Sequence, residues 1–322
     1  MITANATHVI FSDGSTQTSG NVATGATNLT GGTGTIFDMV ITTLGVNWQV
    51  NTGIYSSSYG PTNLSTCNDI FMKSDGTRLY VLDSGANKVN QYNLSTPFNV
   101  ITATYASNAS IGDTVARGVS FKTDGTRMYV VGQTNDRVLE YNLGTAWVVN
   151  STSVSYVSNV SISTQDGTST GLAFSSDGTK MYISGDSTDK IYEYALGTAW
   201  SVNTASYTSN VSISTVETSV DAVAFKDDGT KMYVYGSSSN KIHEYALSSA
   251  WSINSSSYSS NLSTSAEITG PTGLTFSGNG HVIYASSTGT VYSYNCSTGY
   301  RIKTLSVVNN SFSSNSTHII IG

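Results

Sequence analysis

The sequence predicts an all-β fold: a six-bladed β-propeller with one blade shared between N- and C-terminal strands, preceded by an extended N-terminal arm. Three observations carry that expectation. A motif recurs at a period of about 51 residues. Each period holds four strand-like runs. Partial copies stand near both ends and complement each other. Composition fits: of 322 residues, 97 are Ser or Thr, 30 are Gly and only 11% are charged. Tandem units of four short strands are the signature of a propeller.

The repeat is anchored on Phe71, Phe121, Phe174, Phe225 and Phe276. After each anchor comes a turn, as in Ser-Ser-Asp-Gly-Thr-Lys-Met-Tyr182, where Gly tolerates positive φ and Asp can bond its own backbone. Within one unit, strand A ends at Phe174 and strand B follows from Lys180 to Ser184. Strand C runs from Lys190 to Leu196, a corner carries Trp200, and strand D surrounds Tyr207. These runs are rich in Tyr, Val, Ile and Thr, as a pleated surface prefers. They carry apolar groups on successive residues, which suits sheets buried on both faces.

Two partial copies set the expected blade count. Residues 311–322 align with strands A and B, and residues 36–59 with strands C and D, including Trp48 and Tyr55. Joined, they form a sixth blade, because a ring closed by its termini leaves no unpaired sheet edge. The expected domains are therefore an arm and Gly-rich linker at 1–35 and a propeller at 36–322.

The balance of charge excludes some functions. A net charge of −6 gives no basic stripe for nucleic acid. No apolar run reaches the ~20 residues of a membrane span. The start, Met1 to Phe11, lacks the features of a secretory signal. Two cysteines cannot build a disulfide framework or a Cys-rich zinc site.

The chemistry visible in the motifs is sparse. His243, His281 and His318 each fill a variable repeat position, and no metalloprotease, redox or phosphate-loop motif occurs. Asp75, Asp124, Asp177 and Asp228 sit in the A–B turns and read as turn formers. Expected catalytic residues, metal ligands and cofactors are therefore none, and the chain reads as a non-enzyme. Trp48, Trp147, Trp200 and Trp251 hold one repeat position and read as corner plugs. One feature suggests a ligand rim. Asn or Asp followed by a cation closes each B–C loop, which nominates Lys88, Arg137, Asp189, Lys190 and Lys241. Local pairing that starts strand C explains the same pattern.

Residues 11–18, Phe-Ser-Asp-Gly-Ser-Thr-Gln-Thr, resemble a stretch near the attachment ends of bacteriophage tail fibres. The repeat over 36–322 resembles propellers of phage structural proteins and bacterial surface proteins. Together the resemblances imply a virion structural protein, a tail-fibre or receptor-binding appendage attached through Val9, Phe11, Asp13, Gly14 and Gln17. Its implied partners are other virion proteins and a host-surface glycan or protein, with a homotrimer as the fibre-like assembly. The alternatives are a capsid or tail decoration protein, a surface adhesin or lectin, and a propeller glycan-degrading enzyme.

Overall fold

The A–B turns are fixed by glycine. Gly76, Gly125, Gly178, Gly229 and Gly280 have φ between 69° and 72°, a region that a side chain disfavours. In the first four turns the preceding Asp carboxylate accepts from the Thr two residues on, as Asp177 does from the Thr179 amide and hydroxyl at 3.0 and 2.8 Å. Each such glycine also lies under an aromatic ring: a Cβ on Gly178 would collide with Trp200, and one on Gly76 with Phe98. The turn thus needs glycine twice, for its φ and for its space.

In this computed structural model, residues 48–296 are described in full. Outside them the backbone of six strands is described. In chain order the first strands are β1 (Thr3–Asn5), β2 (His8–Ile10), β3 (Thr16–Thr18), β4 (Thr27–Gly31), β5 (Thr35–Thr43) and β6 (Gly53–Tyr59). Next come β7 (Cys67–Met72), β8 (Arg78–Asp83), β9 (Lys88–Leu94) and β10 (Ala103–Ser110). They are followed by β11 (Ala116–Phe121), β12 (Arg127–Gly132), β13 (Arg137–Leu143) and β14 (Val154–Ser161). The third set is β15 (Ser169–Phe174), β16 (Lys180–Gly185), β17 (Lys190–Leu196) and β18 (Ala205–Ser212). The fourth is β19 (Val220–Phe225), β20 (Lys231–Gly236), β21 (Lys241–Leu247) and β22 (Ser256–Ser263). Last are β23 (Pro271–Phe276), β24 (Val282–Ser287), β25 (Thr290–Cys296) and β26 (Tyr300–Val307).

The molecule divides into two compact units, Asn47–Ser297 and a second made of Met1–Val46 with Thr298–Gly322. The division falls after residue 46, whereas the sequence placed the boundary after 35. In the second unit β1, β2 and β3 form one sheet, and β26, β5 and β4 another.

The unit at 47–297 is a propeller of five four-stranded sheets. Four are consecutive meanders, and the fifth runs β23-β24-β25-β6. The expected six blades are corrected to five. The sequence correctly marked Trp48 to Tyr55 as a corner and strand D, but strand C of that blade is β25, paired Tyr294↔Tyr55. Met39 instead lies in β5, paired with β4 and β26. Residues 311–322 lie outside the described residues. The ring still removes its edges through its two ends, by one N-terminal strand added to three C-terminal ones.

Five inter-blade hydrogen bonds close the circle. The strand-B tyrosines Tyr80, Tyr129, Tyr182, Tyr233 and Tyr284 donate to the corner carbonyls of Trp147, Trp200, Trp251, Trp48 and Phe98 at 2.6–2.7 Å. Each corner belongs to the next blade. All five tyrosines are fully buried, so each hydroxyl requires such a partner. The Trp series is therefore architectural. The corner residues also sit at positive φ, from 61° to 70°, held there by the ring contact and the carbonyl bond. A second inter-blade contact runs from strand C: Glu140, Glu193 and Glu244 accept from the amides of Val202, Ile253 and Val50.

One anchor needs correction. The register pairs Met72 with Leu79 just as Phe121 pairs with Met128. Met72, not Phe71, fills the anchor slot of the first blade. Phe71 occupies the slot of Ser120, where it packs at a tilt on Phe121 with ring centroids 4.9 Å apart.

Candidate functional site

The five innermost strands share an irregularity that the sequence did not reveal. Each shifts register after its first residue, between Cys67 and Asp69, Ala116 and Gly118, Ser169 and Gly171, Val220 and Ala222, and Pro271 and Gly273. The bulged residues are Asn68, Arg117, Thr170, Asp221 and Thr272. A bulge re-aims a side chain and is a common device beside active sites. Here it sets five polar residues at one level of the ring, on the face that carries the B–C loops.

Most of this ring is internally satisfied. Asn68 donates to the Ala116 carbonyl at 3.1 Å, and Thr170 to the Val220 carbonyl at 2.6 Å. Thr272 pairs with Ser286 at 3.0 Å. Arg117 donates through Nε to Gln133 at 3.1 Å and makes no ion pair among the described residues. Asp221 is the exception. Its Oδ2 is buried without a hydrogen-bond partner. Burial pushes its carboxyl up to about 7, and the charges of Asp186 and Glu217 add to the rise against hydrogen bonds from Ser237. Asp186 likewise keeps a buried oxygen unpartnered, as does the Ser169 hydroxyl. Where Asn68 and Thr170 donate to the next blade, an ionised carboxylate could not. A carboxyl held near neutrality with a free oxygen can act as a general base or acid.

One level further along the channel, the slot reads Asp69, Gly118, Gly171, Ala222 and Gly273. Small residues are required because a Cβ on Gly118 or Gly171 would press on the backbone of the next blade. The single large member, Asp69, accepts from the amides of Ile70 and Val119 at 2.8 Å each. Burial raises its carboxyl to about 8, although those amides and that of Leu274 pull the other way. Asp69 thus ties its own blade to both neighbours. Because these amides occupy both its oxygens, Asp221 is the better placed of the two for chemistry.

A second constellation looks catalytic and is not. Ser239 Oγ lies 3.0 Å from His243 Nε2 and donates to Glu217 at 2.5 Å. A working triad needs the carboxylate on the opposite ring nitrogen. Here Glu217 Oε2 faces the same nitrogen at 3.6 Å, and Nδ1 is buried without a partner. The third blade repeats the arrangement with Thr188, Tyr192 and Asp166, where a tyrosine replaces the histidine. The motif clamps the D–A loop to the B–C loop. Burial would raise the Glu217 carboxyl, but hydrogen bonds from His243, Ser238 and Ser239 hold it down to about 2.

The candidate rim is built by backbone geometry. Asn87, Asp136, Asp189 and Asn240 adopt positive φ, from 46° to 53°. Their carbonyls accept from Ile111, Ile162, Ile213 and Thr264 at 2.8–3.0 Å. Lys88, Arg137, Lys190 and Lys241 then open strand C. None of the four makes an ion pair among the described residues, and Asp189 Oδ1 is unpartnered. Of the proposed arm residues, Val9 and Gln17 pair across β2 and β3; Phe11, Asp13 and Gly14 lie outside the described residues.

Comparisons with known proteins bear on the activity. The sequence model of the family described as "Lactonase, 7-bladed beta-propeller" matches residues 63–250. No curated protein matches the sequence. Among solved structures, the chain is similar to a protein of unknown function from Desulfotomaculum acetoxidans DSM 771, at 16% identity and a TM-score of 0.45, covering 77% of this chain and 70% of that one. It is also similar to a proposed 6-phosphogluconolactonase from Bacteroides uniformis ATCC 8492, at 10% identity and a TM-score of 0.45, covering 79% and 74%. The match at 63–250 overturns the resemblance to phage appendages and, with it, the expected virion role and the non-enzyme reading. It spans the inner strands that carry Asn68, Arg117, Thr170 and Asp221, none of which belongs to a repeated motif. The matched segment runs from β7 to β21, within a propeller of five blades rather than seven, and the chain belongs to this lactonase propeller family.

Proposed function

We propose that the protein is a hydrolase that opens cyclic esters at the polar end of its channel. The observation that carries the reading is Asp221: a bulged, inner-strand carboxyl with a free buried oxygen, inside the segment matched by a lactonase family. In this reading the ionised Asp221 takes a proton from water as the oxygen attacks the lactone carbonyl. The same carboxyl then returns the proton to the ring oxygen as the acyl–oxygen bond breaks. The products are a hydroxyl and a carboxylic acid, which gives up the second proton of the attacking water to solvent and becomes a carboxylate, so atoms and charge balance. Asp186 keeps the proton affinity of Asp221 high enough for both steps. Arg117 supplies a cation to the carbonyl oxygen or to an acidic substituent of the substrate.

The rim residues Lys88, Arg137, Lys190 and Lys241, with Asp189, serve the same site. They lie at the B–C loop end, where unpaired cations raise the local concentration of an anionic substrate. We therefore favour lactones bearing a carboxylate or phosphate. The test is acid release from five- and six-membered lactones, with and without such a substituent, followed by pH-stat. Saturable turnover with preference for the anionic members supports the reading. Rates no faster than buffer for every member contradict it.

A further inference from the structure

On the far side of Asp69 the channel widens into a cavity of about 410 Å³. None of the bulged polar residues lines it. Its wall is aromatic: Trp48, Trp147, Trp200, Trp251, Phe71 and Phe276 all reach it. No lysine, arginine or histidine lines it, and its titratable lining groups are Asp69 and Asp227.

The charge around this mouth is organised. The A–B turn lysines are consumed locally: Lys73, Lys122 and Lys226 pair with Asp75, Asp124 and Asp228 at 2.5, 2.8 and 2.6 Å. Lys226 thus turns to Asp228 and leaves Asp227 without an ion pair among the described residues. The slot of Asp227 holds Ser74, Thr123, Ser176 and Gly278 in the other blades, so one blade alone presents an acid to the cavity. The molecule already places a cation against one of the rings: Lys73 Nζ stands 5.6 Å from the centroid of Trp147. Aromatic faces attract cations through their quadrupole, most strongly where water is excluded.

We propose that this cavity binds an organic ammonium ion, held by the tryptophan faces and by the carboxylate of Asp227. A compact alkylated cation fits the wall best, because its apolar surface packs on the rings while its charge satisfies Asp227. The site is separate from the hydrolytic end and does not depend on it.

The test uses the full chain at pH 8 in low salt, with choline as the probe and 3,3-dimethyl-1-butanol as its uncharged isostere. Titration calorimetry and tryptophan fluorescence report binding. The expected result is saturable choline binding with the neutral alcohol about tenfold weaker. Asp227→Ser installs the residue that the first and third blades carry, so the turn still forms; it should weaken choline roughly threefold. Asp221→Asn should leave choline binding unchanged, which separates this inference from the hydrolytic one. No saturable choline binding, equal affinity for the alcohol, or an unaltered choline affinity in a folded Asp227→Ser variant would overturn it.

Discussion

The ring of strand-B tyrosines and the ring of bulged inner-strand residues obey opposite rules. Tyr80, Tyr129, Tyr182, Tyr233 and Tyr284 are one residue type in all five blades, and each makes the same bond to the next blade. Asn68, Arg117, Thr170, Asp221 and Thr272 occupy equally equivalent positions with four residue types. The first ring performs one mechanical task five times. The second gives one position four chemistries. In a repeat protein, a position that is uniform reports architecture, and one that varies while its backbone does not reports function.

The uniform ring is most vulnerable at the corner that closes the circle. Trp48→Ala removes a buried indole and its packing on Phe276, whose centroid lies 5.1 Å away. It should cost about 3–5 kcal/mol. Chemical denaturation should show the loss across the whole unit, because one corner closes a continuous ring. A smaller loss confined to the fifth blade would mean that the ring does not fold as one body.

Asp69 stands between the two rules, since its slot is small everywhere else. Its carboxyl is raised to about 8, so the folded state binds the proton more tightly than the unfolded chain does. Stability should therefore fall as pH rises from about 4 to about 8 and level off above, as linkage requires. Asp69→Asn should flatten that slope in thermal melts taken across the range. Glu217 works in the other direction: its folded value near 2 adds stability at neutral pH that is lost as pH falls from about 4.5 toward 2.

The tyrosine ring gives a gentler test. Tyr233→Phe deletes one buried hydrogen bond at 2.6 Å and should cost about 1 kcal/mol. Turnover per folded molecule should not change. Of the predicted effects the rim's is smallest. Replacing Arg137, Lys190 and Lys241 together by Ser should raise KM for an anionic lactone roughly threefold at low salt. The difference should vanish at high salt, because it is a long-range effect. Unchanged KM at low salt would mean that the rim takes no part in drawing substrate to the site.

Much of the fold was legible because turns announce themselves. Asp-Gly before Thr placed the A–B hairpins, and the Lys-Ile-Tyr-Glu-Tyr run placed strand C where β17 lies. Two readings slipped for local reasons. Phe71 beside Met72 offered a better match to the aromatic anchor, yet the register gives the slot to Met72. Met39 to Thr43 carries the apolar pattern of strand C, and a lone strand cannot show which sheet it will join. The site was harder. Residues that recur in every blade are the most conspicuous in the sequence, and recurrence marks turns and corners. Asp221 and Arg117 recur in no other blade, and the bulge that aims them leaves no mark of its own in sequence. The signal available was variation itself, within Asn68, Arg117, Thr170, Asp221 and Thr272.

In the proposed reaction Asp221 performs proton transfer on a cyclic ester. The most direct test of that role is the pH dependence of kcat/KM for an anionic lactone, measured on the native chain and on Asp221→Asn. The expected result is a rising limb with an inflection near 7, and a loss of at least about 100-fold in the variant with its melting temperature retained. A folded Asp221→Asn protein that keeps both the rate and the inflection would contradict it.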